Sequence, residues 1–149
     1  MDPIPEFEGA YRGPLIYYTN GDRYAFEDIC VELSLTDRDQ SADIGLTAGL
    51  IIHDFPLDIE GKETKTAYMG LLWDGNKFKE LPREHDGYFS FYYFSKWRVT
   101  KAHGLLQDWK DQGYKRLVLD TVILEDCPFH FDFSGKLDPE GYIHTIIQE

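Results

Sequence analysis

The sequence predicts an α+β protein that is mainly antiparallel β, with about nine strands in hairpins and meanders and one amphipathic helix. Three observations indicate this class: aromatic residues make up 15% of the chain, turn dipeptides separate short apolar runs, and only one segment has helical periodicity. The 149 residues suffice for one core, so we expect a single domain, 1–149, that is sandwich-like or barrel-like. Residues 1–10 are interpreted as a disordered or partly vector-derived segment.

Turn chemistry predicts three hairpins. Asn20-Gly21 lies between two short strand patterns, and Asp74-Gly75 repeats this arrangement after Trp73. Asn-Gly and Asp-Gly favour the two-residue turns that join antiparallel strands. A third hairpin is expected near the C-terminus, where Ser134-Gly135 and the segment 138–141 supply turn residues.

Further strands are predicted between these turns. Residues 29–35 alternate apolar and polar or small side chains, which is typical of a half-buried strand, and residues 44–55 and 115–126 are strongly apolar. The segment 88–97 contains seven aromatic residues. Because neither of its faces is polar, we interpret it as one central strand covered on both sides, in preference to a ligand platform.

The helix is predicted over residues 101–112. Ala102, Leu105, Leu106 and Trp109 recur at the spacing of one helical face. Thr100 is a suitable N-cap and Gly113 a suitable C-terminal stop. We therefore expect this helix to pack on the sheet.

Charge gives the clearest indication of partners. The net charge is −12, and residues 1–75 hold 15 acidic against 5 basic side chains. Such a chain repels nucleic acid and anionic membranes and attracts basic proteins, so we expect a basic protein partner and neither nucleic acid nor membrane. Two cysteines are too few for a disulfide framework. Together with the lack of a signal-like segment, they predict a cytoplasmic protein.

Catalytic and metal-binding motifs are not found in the sequence. It contains no nucleophile elbow, phosphate-binding glycine loop, H-E-x-x-H or C-x-x-C. Residues 37–43 begin like a calcium loop, but Ala42 and Ala48 stand where glycine and a bidentate glutamate are needed. We therefore expect no cofactor and no metal, and favour a non-catalytic protein.

The leading hypothesis is an acidic domain that neutralises or inhibits a basic protein, in the manner of immunity proteins, nuclease inhibitors or DNA mimics. Carboxylates replace phosphates in such interfaces, and a few apolar anchors fix the register. The expected contact residues are seven acids in two loops and one aromatic anchor: Asp37, Asp39, Asp43, Asp54, Asp58, Glu60, Glu63 and Trp73.

Two alternatives stay open. One is a β domain that binds a small molecule or glycan through exposed aromatic rings, with Trp73 as the main candidate, assisted by the tyrosines of the first hairpin: Tyr17, Tyr18 and Tyr24. The other is an enzyme whose site is assembled from His53, His130 and Asp132. The alternation of residues 129–133 favours His130 and Asp132 as the solvated face of a half-buried strand over such a site.

Overall fold

The computed structural model describes residues 5–36, 45–85, 87–91 and 95–140. These residues form nine strands: β1 (Gly9–Thr19), β2 (Asp22–Thr36), β3 (Leu46–Pro56), β4 (Thr64–Trp73), β5 (Phe78–Lys79), β6 (Tyr88–Phe91), β7 (Lys96–Trp109), β8 (Tyr114–Leu124) and β9 (Phe129–Leu137). Three short 3₁₀ turns complete the described part: Pro5–Phe7, Arg83–His85 and Lys110–Gln112.

The strands close into an antiparallel barrel. Neighbours follow chain order from β1 to β4, and β7, β8 and β9 then lead back to β1. The short strands β5 and β6 both pair with β4 and β7. They therefore share one position in the barrel wall, which has eight strand positions. The predicted mainly antiparallel β fold with nine strands is therefore confirmed, in its barrel form.

Side chains fill the barrel interior. Alternate residues of each strand point inward, and an eight-stranded barrel is just wide enough for such side chains to meet. At the centre, Phe55 of β3 contacts rings from three other strands, with centroids 5.1 Å from Phe89, 5.2 Å from Phe131 and 6.1 Å from Tyr17. The aromatic share of the sequence is thus largely core.

The predicted helix is not formed, and the prediction was wrong for residues up to Trp109, which belong to β7. The same segment also has a period of two, because Ala102, Gly104 and Leu106 pair with inward residues of β8. Pairing on both sides of β7 satisfies its backbone within the sheet. A helix at this position would leave the barrel open between β8 and the position that β5 and β6 share. Tertiary pairing therefore overrides the local periodicity.

The aromatic segment is two strands instead of one. β6 ends at Phe91 and β7 begins at Lys96, and the two pair with Phe89 opposite Trp97. Residues 92–94 lie outside the described residues. The prediction that this segment is mainly scaffold agrees with the burial of Phe89 and Phe91 inside the barrel.

The first two predicted turns are present, whereas Ser134-Gly135 of the third predicted hairpin forms no turn; residue 141 and the strand expected after it lie outside the described residues. Asn20 and Gly21 have φ of 54° and 80°, which is the geometry of a type I′ hairpin turn. Asp74 accepts the N–H groups of Asn76 and Lys77. By contrast, Gly135 lies inside β9, where a Cβ atom would approach the Phe133 ring to 2.6 Å, so close packing explains this glycine.

Cys30 and Cys127 are both free thiols. None of the helical turns in the described part of the chain has the length or apolar composition that crossing a membrane requires.

Candidate functional site

The connections at the two ends of the barrel differ in charge. Because adjacent strands run in opposite directions, the turn 20–21, the loop 57–63 and the loop 125–128 share one end, which we call the upper end. These three connections carry five acids and one lysine: Asp58, Glu60, Glu63, Glu125, Asp126 and Lys62. The two described connections at the lower end, 74–77 and 110–113, carry two acids and two lysines.

The loop 57–63, which we call the acidic loop, is organised around the side chain of Asp58. Asp58 accepts hydrogen bonds from the N–H groups of Glu60, Lys62 and Glu63, each at 3.0 Å. Desolvation acts to raise the pKa of Asp58, but these backbone hydrogen bonds together hold it below its usual value. The Asp58 carboxylate therefore stays ionised to a lower pH than an ordinary aspartate.

The acidic loop also presents an apolar side chain to solvent. Ile59 lies between Asp58 and Glu60 and is 51% exposed. Asp54, at the bulge before the loop, accepts a hydrogen bond from the Thr64 hydroxyl at 3.3 Å. Four predicted contact residues, Asp54, Asp58, Glu60 and Glu63, thus lie together at the upper end.

The other predicted contact residues are placed differently. Trp73, expected at the surface, is instead buried inside the barrel with 5% exposed, and its ring lies 4.8 Å from that of Phe78. Inward alternation along β4 accounts for this position, because Leu71 and Trp73 point to the same side. Asp37, Asp39 and Asp43 lie outside the described residues.

The three residues of the catalytic alternative do not meet. His53 of β3 lies 3.2 Å from the buried carboxylate of Glu32, whereas His130 and Asp132 lie on β9. β1 and β2 separate these two strands, a distance of roughly 14 Å along the sheet at the usual strand spacing. Among the described residues, no group of three or more histidine, cysteine, aspartate or glutamate side chains is placed to hold a metal ion.

A cleft opens in the barrel wall between β8 and β9. These strands pair only from Arg116 opposite Lys136 to Leu119 opposite Phe133. β8 stays paired with β7 up to Leu124, and β9 stays paired with β1 from Phe129. One further step in register would place Asp120 opposite Asp132. Two like charges about 5 Å apart destabilise a cross-strand pair, and Asp120 is also the unpaired residue of a bulge between Leu119 and Thr121 of β8. Both features act against a longer ladder.

Polar and aromatic groups from three strands, β1, β8 and β9, line this cleft. Tyr18 of β1 stacks on His130 with ring centroids 4.8 Å apart and donates a 2.8 Å hydrogen bond to Asp132. That hydrogen bond is the main cause that raises the pKa of Tyr18, with burial second, while Arg23 acts to lower it. Opposite, His103 Nδ1 lies 2.7 Å from Asp120 Oδ1.

The cleft has a volume of about 450 Å³, within the range of small-molecule sites. Its lining combines two carboxylates, a phenol, an imidazole, a hydroxyl and three apolar side chains: Asp120, Asp132, Tyr18, His130, Thr121, Val122, Ile123 and Phe131. Ile123 at the rim is 44% exposed. The lining therefore joins an apolar floor to a negatively charged mouth.

A second concavity, which we call the outer groove, lies on the outside of β2, β3, β4 and β6. Its floor is low because Gly49 and Gly70 are direct cross-strand partners without side chains. Tyr68, Tyr88 and His85 stand around this floor, and the groove measures about 580 Å³. A Cβ atom at Gly70 would meet Leu81 Cδ1 at 3.5 Å and one at Gly49 would meet Ser34 Oγ at 3.1 Å, so neighbouring side chains pack over both glycines.

Sequence reasoning found His130 and Asp132 as one face of a strand but not Tyr18 as their partner. The one sequence signal for that contact is the shared period of two in β1 and β9, and it does not specify which strands are neighbours. In comparisons with protein-family models, curated proteins and solved structures, none matches this chain.

Proposed function

We propose that this protein is a non-catalytic acidic domain that binds a basic surface of another protein through the upper end of its barrel. The observation that carries the proposal is the acidic loop, in which an exposed isoleucine is flanked by carboxylates on a backbone held by Asp58. Neutralisation or inhibition of the partner is the consequence we infer from covering such a surface.

Preorganisation supports this assignment. A loop that is already ordered loses little conformational entropy on binding, which increases the free energy left for the complex. The Asp58 hydrogen bonds and a further bond from Leu57 N–H to the Glu63 carbonyl, at 2.8 Å, close the loop at both ends. Ile59 is thereby presented in one orientation, as an interface anchor requires.

The charge of the upper end independently supports the proposed binding surface. The three connections 20–21, 57–63 and 125–128 hold five carboxylates and one lysine. This excess of negative charge accelerates encounter with a basic partner. Exposed charges more than a Debye length apart, about 10 Å at 0.1 M salt, are screened from each other. Association is therefore expected to weaken steeply as salt is raised.

The experiment is affinity capture on the immobilised protein at low and moderate salt, followed by mass spectrometry and by titration with the purified partner. Two test variants are Ile59→Ser and the pair Glu60→Gln with Glu63→Gln, which keep Asp58 and so keep the loop fold. The matched control removes two exposed acids near the lower end, Asp108→Asn with Asp111→Asn.

We expect the charge pair to weaken binding about 10-fold or more and Ile59→Ser by a similar factor, as for interface anchors. The lower-end control should retain most of the affinity. Equal losses in the test pair and the control would mean that net charge alone drives association, and the proposed surface would then be wrong. Unchanged binding in both test variants would likewise reject it.

A second candidate, small-molecule or glycan binding, is favoured by one observation, the outer groove. Its glycine floor and its two tyrosine rings provide the flat apolar contact and the hydroxyl groups that a ring-shaped ligand uses. Thermal-shift screening against a panel of saccharides and aromatic metabolites tests it. A hit should be lost in Tyr68→Ala and kept in Glu60→Gln, and a hit that ignores Tyr68→Ala would contradict this site.

A further inference from the structure

We propose that the cleft between β8 and β9 is a binding site for an alkylguanidinium group. This site lies on the side wall of the barrel, is built from residues other than those of the acidic loop, and does not depend on the function proposed above.

The ladder between β8 and β9 opens at two carboxylates. The strand pair β8–β9 stops where Asp120 and Asp132 would become cross-strand partners, although each strand continues on its other side. A cation placed between the two carboxylates would turn their repulsion into attraction. The cleft is thus complementary to positive charge at the point where it begins.

Each of the two carboxylates contacts a polar side chain of the protein. Asp132 Oδ2 accepts the Tyr18 hydroxyl, and Asp120 Oδ1 faces His103. Within the described part of the chain, each carboxylate thereby keeps its second oxygen for a donor outside the protein. The protein contacts fix the orientation of both groups before any ligand arrives.

The shape of the cleft selects the class of cation. Tyr18 covers one face of the His130 ring from the β1 side, so the other face is directed toward β8 and the cleft. A planar guanidinium stacks on such a ring and donates several N–H bonds in one plane, whereas an ammonium is a compact point charge. Ile123, which is 44% exposed and lines the cleft, provides the apolar contact for an alkyl arm.

The site is tested by NMR titration of the full chain with N-butylguanidinium, beside n-butylammonium as the matched cation and n-pentanol as the neutral probe. We expect saturable shifts confined to residues 118–124 and 129–133, with butylguanidinium binding about 10-fold more tightly than butylammonium. No saturable shift in these segments, or equal affinity for the two cations, would overturn the proposal.

Variants give an independent readout. Asp120→Asn and Asp132→Asn should each weaken binding about 10-fold, and Tyr18→Phe less, while the folded spectrum is retained. Asp108→Asn on β7 and the acidic-loop pair Glu60→Gln with Glu63→Gln should leave the affinity unchanged. A loss as large in Asp108→Asn as in Asp132→Asn would show that only net charge matters and would refute the site.

The source of the guanidinium is resolved by a second ligand, the capped peptide acetyl-Gly-Arg-Gly-amide. Binding of the peptide at least as tight as that of butylguanidinium would assign the cleft to an arginine side chain of a protein. Binding of butylguanidinium without the peptide would assign it to a free small molecule.

Discussion

Two hairpins of the same barrel close at the upper end in opposite ways. β1 and β2 pair at ten positions up to a two-residue turn, whereas β8 and β9 pair at only four and then separate. Their strands are of similar apolar content, so hydrophobicity does not cause the difference. Asn20-Gly21 supplies the turn that closes the first hairpin, whereas two opposed aspartates and a bulge at Asp120 act against pairing in the second.

The formation of a strand and its pairing with a neighbour have separate causes in this chain. Burial of alternate residues stabilises β8 and β9 individually against the core. Whether these two strands pair with each other depends on which outward-facing side chains lie opposite one another. The core does not determine those side chains, because they face solvent. The open hairpin is thus compatible with a fully packed interior.

The largest expected effect comes from the core that both hairpins share. Phe55 contacts Tyr17 in the first hairpin and Phe131 in the second, so Phe55→Ala should lower the free energy of unfolding by about 3–5 kcal/mol. Urea unfolding measures this change. Both hairpins should lose amide-exchange protection together, and retained protection in one hairpin alone would show that the core does not link them.

The next effect tests the closed turn. Gly21 has a φ of 80° and free space around its Cα, so Gly21→Ala adds strain without a clash and should cost about 1–2 kcal/mol. Urea unfolding again measures it, with Asn20→Asp as the control, because aspartate also tolerates this turn. Equal stability of Gly21→Ala and the unmodified chain would remove turn geometry from the explanation.

A smaller effect of opposite sign tests the open hairpin. Asp120→Thr removes the like-charge pair, so β8 and β9 should continue their ladder and stability should rise by about 0.2–1 kcal/mol. Amide exchange in residues 120–124 and 129–132 should slow. Asp108→Thr is the matched control, since Asp108 faces Lys115 and its loss should bring no gain. Unchanged exchange in Asp120→Thr would mean that charge does not hold the hairpin open.

The sequence allowed prediction of the strands but not of their partners. Alternation identified β2, apolar runs identified β3 and β8, and Asn20-Gly21 identified the first turn, because these signals are local. The segment 96–109 failed because its apolar residues satisfy both a helical and a strand period, and only barrel closure decides between them. The exposure of Trp73 was predicted wrongly for a related reason, since a nearby turn signal does not specify which side of the strand the Trp73 side chain faces.

The candidate sites depended even more on pairing. Asp54, Asp58, Glu60 and Glu63 lie within one short segment, so their proximity followed from the sequence. Tyr18 and Asp132 are 114 residues apart and meet only because β1 and β9 close the barrel. No local pattern contains that information.

The smallest expected effect concerns this last contact, which joins the two hairpins. Tyr18→Phe removes one partly exposed hydrogen bond to Asp132 and should cost at most about 1 kcal/mol. The folded-state pKa of Tyr18 is raised, mainly by Asp132, so the neutral phenol is the stabilising form. Its contribution is therefore complete below pH of about 10, the usual tyrosine pKa, and is lost as the pH rises through the higher folded-state pKa.

A double-mutant cycle over pH 7–11 measures this contribution. Tyr18→Phe and Asp132→Asn, singly and combined, should show a coupling free energy that is constant at neutral pH and falls toward zero above pH of about 10. A coupling free energy that stays constant from pH 7 to 11 would mean that ionisation of Tyr18 does not remove its interaction with Asp132. Absence of coupling at neutral pH would show that stacking on His130 alone holds Tyr18, and the cleft would then lack one of the two contacts that orient its carboxylates.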